Sequence, residues 1–190
     1  MPENRNPGRI PFNVPVVTGR ERLYLDEVFR AGKFSGDGPM SKRCNTWLRE
    51  HFGAPAAFVT TSCTHALEMA ALLCELEPGD EVILPSYAFS STATAFVRAG
   101  ARLVFVDIEP KSMNIDPLMV EAAITPRTRV IVALHYAGAG CDMQSLIALA
   151  ARHHLLVVED AAQCMFARRD AKPLGTIGTF GCISFHESKN

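Results

Sequence analysis

No stretch of this sequence approaches the ~20 consecutive apolar residues that a helix needs to cross a bilayer. The first eight residues, Met1-Pro2-Glu3-Asn4-Arg5-Asn6-Pro7-Gly8, are polar and broken by Pro and Gly, with no apolar segment of the export type. These absences predict a cytoplasmic protein without membrane contact. Charge of one sign is also missing: 19 Lys and Arg stand against 20 Asp and Glu. No basic run is available to track a phosphate backbone, so no nucleic-acid partner is expected. The six cysteines, Cys44, Cys63, Cys74, Cys141, Cys164 and Cys182, contain no CxxC pair. Without an export signal they are expected to be free thiols. No HExxH or paired Cys/His spacing points to zinc, so no metal is expected. No Walker loop is present, and no G-x-G-x-x-G turn follows the first apolar run. The P-loop and nicotinamide Rossmann classes lose their support.

What is present is a rhythm. Residues 1–17 read as an N-terminal arm and 18–190 as one domain. Apolar positions predict a helix over 18–30, stopping near Gly32, and a second over 42–52, stopping at Gly53. A glycine-rich loop, 33–41, separates them. Short β-branched runs then predict buried strands at 57–60, 81–84, 102–107, 129–134, 155–158 and 182–185. Helical patterns at 64–76, 90–98, 116–124 and 144–154 fall between most of them, with breaks at Gly79-Asp80, Gly100 and Pro126. This alternation predicts an α/β domain of three layers, helix/sheet/helix, around a largely parallel sheet. Ligands in such sheets sit beyond the carboxyl ends of the strands. The residues just after each run, 61–65, 85–91, 135–140, 159–163 and 186–190, are therefore the candidates for a site.

Four of these segments carry chemistry. In Thr60-Thr61-Ser62-Cys63-Thr64-His65, hydroxyls and unpaired N–H groups converge at a helix start, where the dipole favours an anion. The same residues also make an ordinary N-cap, and the pattern alone favours that plainer reading. In Leu155-Leu156-Val157-Val158-Glu159-Asp160-Ala161-Ala162-Gln163, a buried strand delivers two carboxylates that should face opposite ways. One can point into a site while the other faces a helix or solvent; a helix N-cap is the plainer role for Asp160. In Ser184-Phe185-His186-Glu187-Ser188-Lys189-Asn190, a lysine follows a short buried strand. Burial and nearby positive charge can bring such an amine down from ~10.4 into a nucleophilic range. A lone lysine otherwise reads as a solvated surface residue. In Pro85-Ser86-Tyr87-Ala88-Phe89-Ser90-Ser91-Thr92, Phe89 could stack on a flat ring, or be a core aromatic at a strand end.

Taken in order, these segments, joined by Pro78-Gly79-Asp80-Glu81-Val82, Val104-Phe105-Val106-Asp107, His135-Tyr136-Ala137-Gly138 and Leu174-Gly175-Thr176-Ile177-Gly178, resemble the sugar-nucleotide aminotransferases of the DegT/DnrJ type. These belong to the fold-type-I enzymes that use pyridoxal 5'-phosphate (PLP). The likeness runs from about residue 10 to the last residue. It implies that Lys189 is the Schiff-base lysine and the base for the 1,3-proton shift. It implies that Asp160 partners the pyridine nitrogen, because a carboxylate there keeps that nitrogen protonated and the ring electron-withdrawing. Gln163 would contact the phenolic oxygen, and Phe89 would stack on the ring. Thr64, the backbone at His65 and Ser184 would hold the phosphate. A lysine at 189 favours transamination over the related sugar dehydratases, in which a histidine stands there.

The reaction so implied is ping-pong. Glutamate would donate its amino group, and a nucleotide-linked 4-keto-6-deoxy sugar would receive it. The specific form is dTDP-4-keto-6-deoxyglucose to dTDP-4-amino-4,6-dideoxygalactose, in cell-surface polysaccharide synthesis such as lipopolysaccharide and enterobacterial common antigen. A 3-keto sugar aminotransferase on the same scaffold and a catalytically inactive remnant are the alternatives. Family members continue well past the lysine, carry a smaller C-terminal domain and work as homodimers. The resemblance therefore implies that 18–190 is the cofactor-binding part of a large domain, truncated and without the small domain. It also implies that this part alone has little or no transaminase activity.

Overall fold

A computed structural model describes Ile10 and residues 13–189. Most of the arm expected over 1–17 thus lies outside the described residues; 13–17 form no regular element. The first helix, α1 (Glu21–Ala31), begins later than its apolar pattern suggests: Arg20 is its N-cap, and Thr18 lies before it, held by the side chain of Glu21. The Thr18 N–H and hydroxyl both donate to Glu21 Oε1, at 2.8 Å each. Gly32 closes the helix in the left-handed conformation, φ 63. Helix α2 (Pro39–Phe52) has proline in its first turn, where no N–H is needed, and ends at Gly53.

From Cys63 onward the expected α/β alternation is observed: α3 (Cys63–Leu73), β1 (Glu81–Pro85), α4 (Ser90–Arg98), β2 (Arg102–Val106), α5 (Pro117–Ala123), β3 (Thr128–Leu134), α6 (Met143–His153) and β4 (Leu156–Ala161). A two-residue hairpin, β5 (Arg168–Arg169) and β6 (Lys172–Pro173), precedes β7 (Phe180–Ile183). Five strands make one parallel sheet in the order β2-β1-β3-β4-β7. The chain steps from β1 out to β2, then returns past β1 to β3, β4 and β7. That reversal opens a crevice at the carboxyl ends of β1 and β3.

Strand side chains alternate between the two faces. Val82, Leu84, Val130, Val132, Val158 and Cys182 pack with Leu67, Ala70 and Ala71 of α3 and with Ala95 and Phe96 of α4. The intervening Ile83, Ile131, Ala133 and Val157 pack with Val120 of α5 and with Leu146 and Leu149 of α6. Burial on both faces explains why these strands read as unbroken apolar runs. Among the described residues, no helix is long and apolar enough to cross a membrane.

Three expectations need correction. Residues 57–60 are extended but pair with no strand among the described residues. The Val59 N–H bonds the Asn45 side-chain oxygen instead, at 2.8 Å, and Phe58 is 70% exposed. A strand is a property of pairing, and a cavity separates this segment from β7, the sheet's edge strand. Strand β4 also runs past 158 to Ala161. Its neighbours pair with it on both sides, Ala133 with Glu159 and Leu134 with Asp160, then Glu159 with Gly181 and Asp160 with Cys182. Both carboxylates are thereby drawn into the ladder. Finally, β7 lies at 180–183 rather than 182–185, which frees Ser184 and its successors to turn toward Lys189.

The loop before β7 folds tightly back on it. Gly175 is left-handed, φ 86, and its carbonyl lies where a Cβ at 181 would be. Gly181→Ala is therefore expected to destabilise the protein by about 3 kcal/mol, because backbone rather than a mobile side chain must move. Urea denaturation measures this; an unchanged midpoint would show that the loop can yield freely.

Candidate functional site

Glu159 and Asp160 are adjacent, buried and turned to opposite sides of β4. Sequence reasoning gave the second carboxylate to a helix or to solvent. The structure instead buries Glu159 completely among four N–H donors. His135 Nε2 donates to Oε2 at 2.8 Å and Gly175 N–H to the same oxygen at 2.9 Å. Ile177 and Gly178 N–H donate to Oε1 at 2.6 Å each. His135 Nδ1 accepts from Cys141 N–H at 3.0 Å, which leaves the ring proton on Nε2. Burial alone would raise the Glu159 pKa, but these bonds outweigh it and hold the carboxyl below its ordinary range.

Asp160 is less well supplied. Thr92 Oγ1 donates to Oδ2 at 2.6 Å, and Ala162 N–H to Oδ1 at 3.2 Å. Burial dominates, and the carboxyl is pushed up despite those two bonds and the nearby Lys189 charge. Asp160, Phe89 and Lys189 all stand where two hollows meet. One hollow, about 550 Å³, is also lined by 60–64 and Ser184. The other, about 300 Å³, is also lined by Tyr87, Tyr136 and Gln163. Phe89 leaves 72% of its surface uncovered, so its ring face is available.

The 60–64 end has an anion-binding character. Ser62 caps α3, its hydroxyl accepting from His65 N–H at 3.2 Å. Thr61 bonds the His65 ring. The first N–H groups of the helix, at Cys63 and Thr64, have no intrahelical acceptor. His65 N–H is thus already engaged, and a phosphate would have to share it with Ser62. The Ser184 hydroxyl accepts from His186 N–H at 3.2 Å and keeps its own proton to donate. The Lys189 N–H bonds the His186 carbonyl at 2.9 Å, closing a turn that returns the lysine to the hollow. Cys63 also lines this wall, but burial, with Asp160 adding and Lys189 subtracting, pushes its thiol up to about 12. It is therefore no nucleophile.

Most of the residues expected from the sequence gather in one place: Lys189, Asp160, Phe89, Thr64 and Ser184 line the larger hollow and Gln163 the smaller, while His65 lines neither. The arrangement fits PLP on the structure's own terms. A buried carboxyl short of donors would be completed by a protonated ring nitrogen, an exposed aromatic offers a stacking face, and open N–H groups offer an anion seat. Sequence reasoning gave no role to Thr92, His135 or Asn114. Thr92 lies one helical turn after Phe89, a spacing that could have flagged it. Glu159, which His135 serves, and the turn that Asn114 bonds are remote in sequence and left no local signal.

Residues 16–190 match the model of the DegT/DnrJ/EryC1/StrS aminotransferase family. The spore coat polysaccharide biosynthesis protein SpsC of Bacillus subtilis is 37% identical to this chain, over 95% of this chain and 46% of its own length. The GDP-perosamine synthase of Caulobacter vibrioides is 35% identical, over 95% of this chain and 49% of its own length. A Streptococcus pneumoniae protein solved in its PLP form superposes with a TM-score of 0.87 at 29% identity, over 95% of this chain and 50% of that one. The chain spans about half the length of the relatives it matches.

Glu159→Gln should show what the four-donor carboxylate contributes. An amide accepts at one oxygen only, so donors on the other side lose their acceptor. The expected cost is about 3 kcal/mol near neutral pH. A carboxyl whose folded pKa is lowered stabilises the fold above its unfolded value and loses that contribution as pH falls through the folded value. The wild type should therefore lose stability on acidification more steeply than the variant. Urea midpoints measured from about pH 7 down to about pH 3 test this; parallel curves would contradict it.

Proposed function

The chain belongs to the DegT/DnrJ/EryC1/StrS aminotransferase family, and on that premise we propose that it holds PLP on Lys189 and serves amino-group transfer to a nucleotide-linked keto sugar. The observation that carries this reading is that Lys189 and Asp160 line the same two hollows, with the 60–64 turn also lining the larger one. PLP, when bound, supplies an electron-withdrawing ring that acidifies the C–H next to the reacting nitrogen.

The chain's own groups have distinct tasks in this reading. Asp160 keeps a proton on the ring nitrogen, and its buried setting makes that contact strong. Thr92 and the Ala162 N–H hold the carboxyl in place. Phe89 fixes the ring plane by stacking. Thr64, the first N–H groups of α3 and the Ser184 hydroxyl hold the phosphate, with the His65 N–H sharing its bond to Ser62. The Lys189 amine faces the reacting centre and moves the proton of the 1,3-shift between the two carbons that flank the reacting nitrogen.

The substrate in this proposal is a nucleotide-linked 4-keto-6-deoxy sugar, specifically dTDP-4-keto-6-deoxyglucose, with glutamate as donor. The relatives named for polysaccharide and perosamine synthesis support a sugar acceptor. Residues 18–190 act as the cofactor-binding domain, and the working assembly is a homodimer in the cytoplasm.

The test is spectroscopic. PLP added to the protein should give the long-wavelength absorbance of lysine-bound cofactor, and Lys189→Ala should never develop it. Persistence of that absorbance in Lys189→Ala would overturn the assignment. Asp160→Asn should weaken cofactor retention yet raise the thermal midpoint of the cofactor-free protein at neutral pH. The sign follows from the raised carboxyl: ionising it costs stability as pH rises past the ordinary carboxylate range, and the amide escapes that cost. Below that range the gain should vanish.

A further inference from the structure

The turn at 136–139 follows β3 and borders the smaller hollow. Its second residue, Ala137, is left-handed, φ 51 and ψ 25, a conformation that L side chains rarely adopt. Something must hold it there. Asn114, only 3% exposed, spans the turn from beneath. Its Oδ1 accepts from Tyr136 N–H at 2.9 Å, and its Nδ2 donates to the Ala139 carbonyl at 3.0 Å. With both ends so tied, the Ala137 N–H donates to Gln163 Oε1 at 2.7 Å.

This last bond fixes the Gln163 amide. A backbone N–H can only donate, so the atom facing Ala137 must be the oxygen. A flip would set two donors against each other. The Gln163 NH₂ is thus left as the free branch, and it is a donor. A phenolate oxygen on a ring seated over Asp160 needs a donor and would be repelled by the carbonyl.

We infer that Asn114 is a positioning residue for Gln163: by clamping the left-handed turn it decides that Gln163 meets the cofactor's phenolic oxygen with its NH₂. This rests on the PLP reading above. The chemistry recognised is an oxyanion on a planar ring, and Asn114 itself never touches it.

A double-mutant cycle on PLP affinity tests the relay. Asn114→Ala and Gln163→Ala should each weaken retention by about tenfold, the scale of one lost hydrogen bond to a charged group. The double variant should be no weaker than Gln163→Ala alone. Additive losses would overturn the inference, since they would mean that Asn114 acts independently of Gln163. A cofactor-free arm keeps the two proposals apart. Hydrogen exchange at the Ala137 amide should be slow in the wild type and fast in both Asn114→Ala and Gln163→Ala. Gln163→Glu keeps the acceptor and loses the donor, so it should retain Ala137 protection while losing PLP affinity. Fast Ala137 exchange in the wild type, or protection that survives Gln163→Ala, would sink the relay even if PLP binds. Failure of the wild type to take up PLP, with Ala137 behaving as described, would sink the cofactor reading and leave the clamp standing.

Discussion

The Glu159 carboxylate, with four N–H groups aimed at its two oxygens, is the constraint on which the rest of this structure depends. It ties three separate pieces together: the end of β3 through His135, the end of β4 on which it sits, and the 174–178 loop that leads into β7. An unsupported charge at that depth would be untenable. Fully supplied with donors, it becomes a rigid joint. Because strand side chains alternate, fixing Glu159 on one side of β4 also fixes Asp160 on the other. Because the same bonds set where β7 begins, they also set where the chain turns at Ser184 and returns as Lys189.

Two neighbouring carboxylates therefore have opposite fates. Glu159 is saturated with donors and held ionised, and its work is structural. Asp160 has a hydroxyl and one N–H, is pushed toward protonation by burial, and faces a hollow. Groups whose environments drive them apart in this way are the usual mark of divided labour at a site. The cost of leaving Asp160 short of donors is a local loss of stability, which a cationic N–H from a ligand would offset.

Much of this was legible in the sequence. Strands buried on both faces show as apolar runs, and helices between them show as periodic patterns, so layer order and sheet type followed from the alternation of the two along the chain. Glycines at 32 and 53 marked helix ends because the left-handed cap is a local requirement. The candidate segments were found by asking what lies just after each strand, while the roles of single residues, and Ser184 altogether, came from the family resemblance. What was not legible was non-local. Residues 57–60 have the composition of a strand but no partner among the described residues, and pairing cannot be read from one segment. Glu159 looked like a spare carboxylate because three of its four donors are backbone N–H groups, which carry no side-chain signature, and the fourth, His135, lies 24 residues away. Asn114 carried no signal because the turn it clamps lies more than twenty positions away. Even the exact seat of an anion was obscured, since Ser62 already occupies the His65 N–H.

The proposed function requires convergence: an amine, a carboxyl and a helix-start turn arranged about a single flat, phosphorylated ring. A crystal structure of the protein grown with PLP measures this most directly. Density is expected to be continuous with Lys189 Nζ, with the ring nitrogen against the Asp160 carboxyl and the phosphate at the amino end of α3. Cofactor joined to another lysine, or a phosphate seated away from residues 61–64, would contradict it.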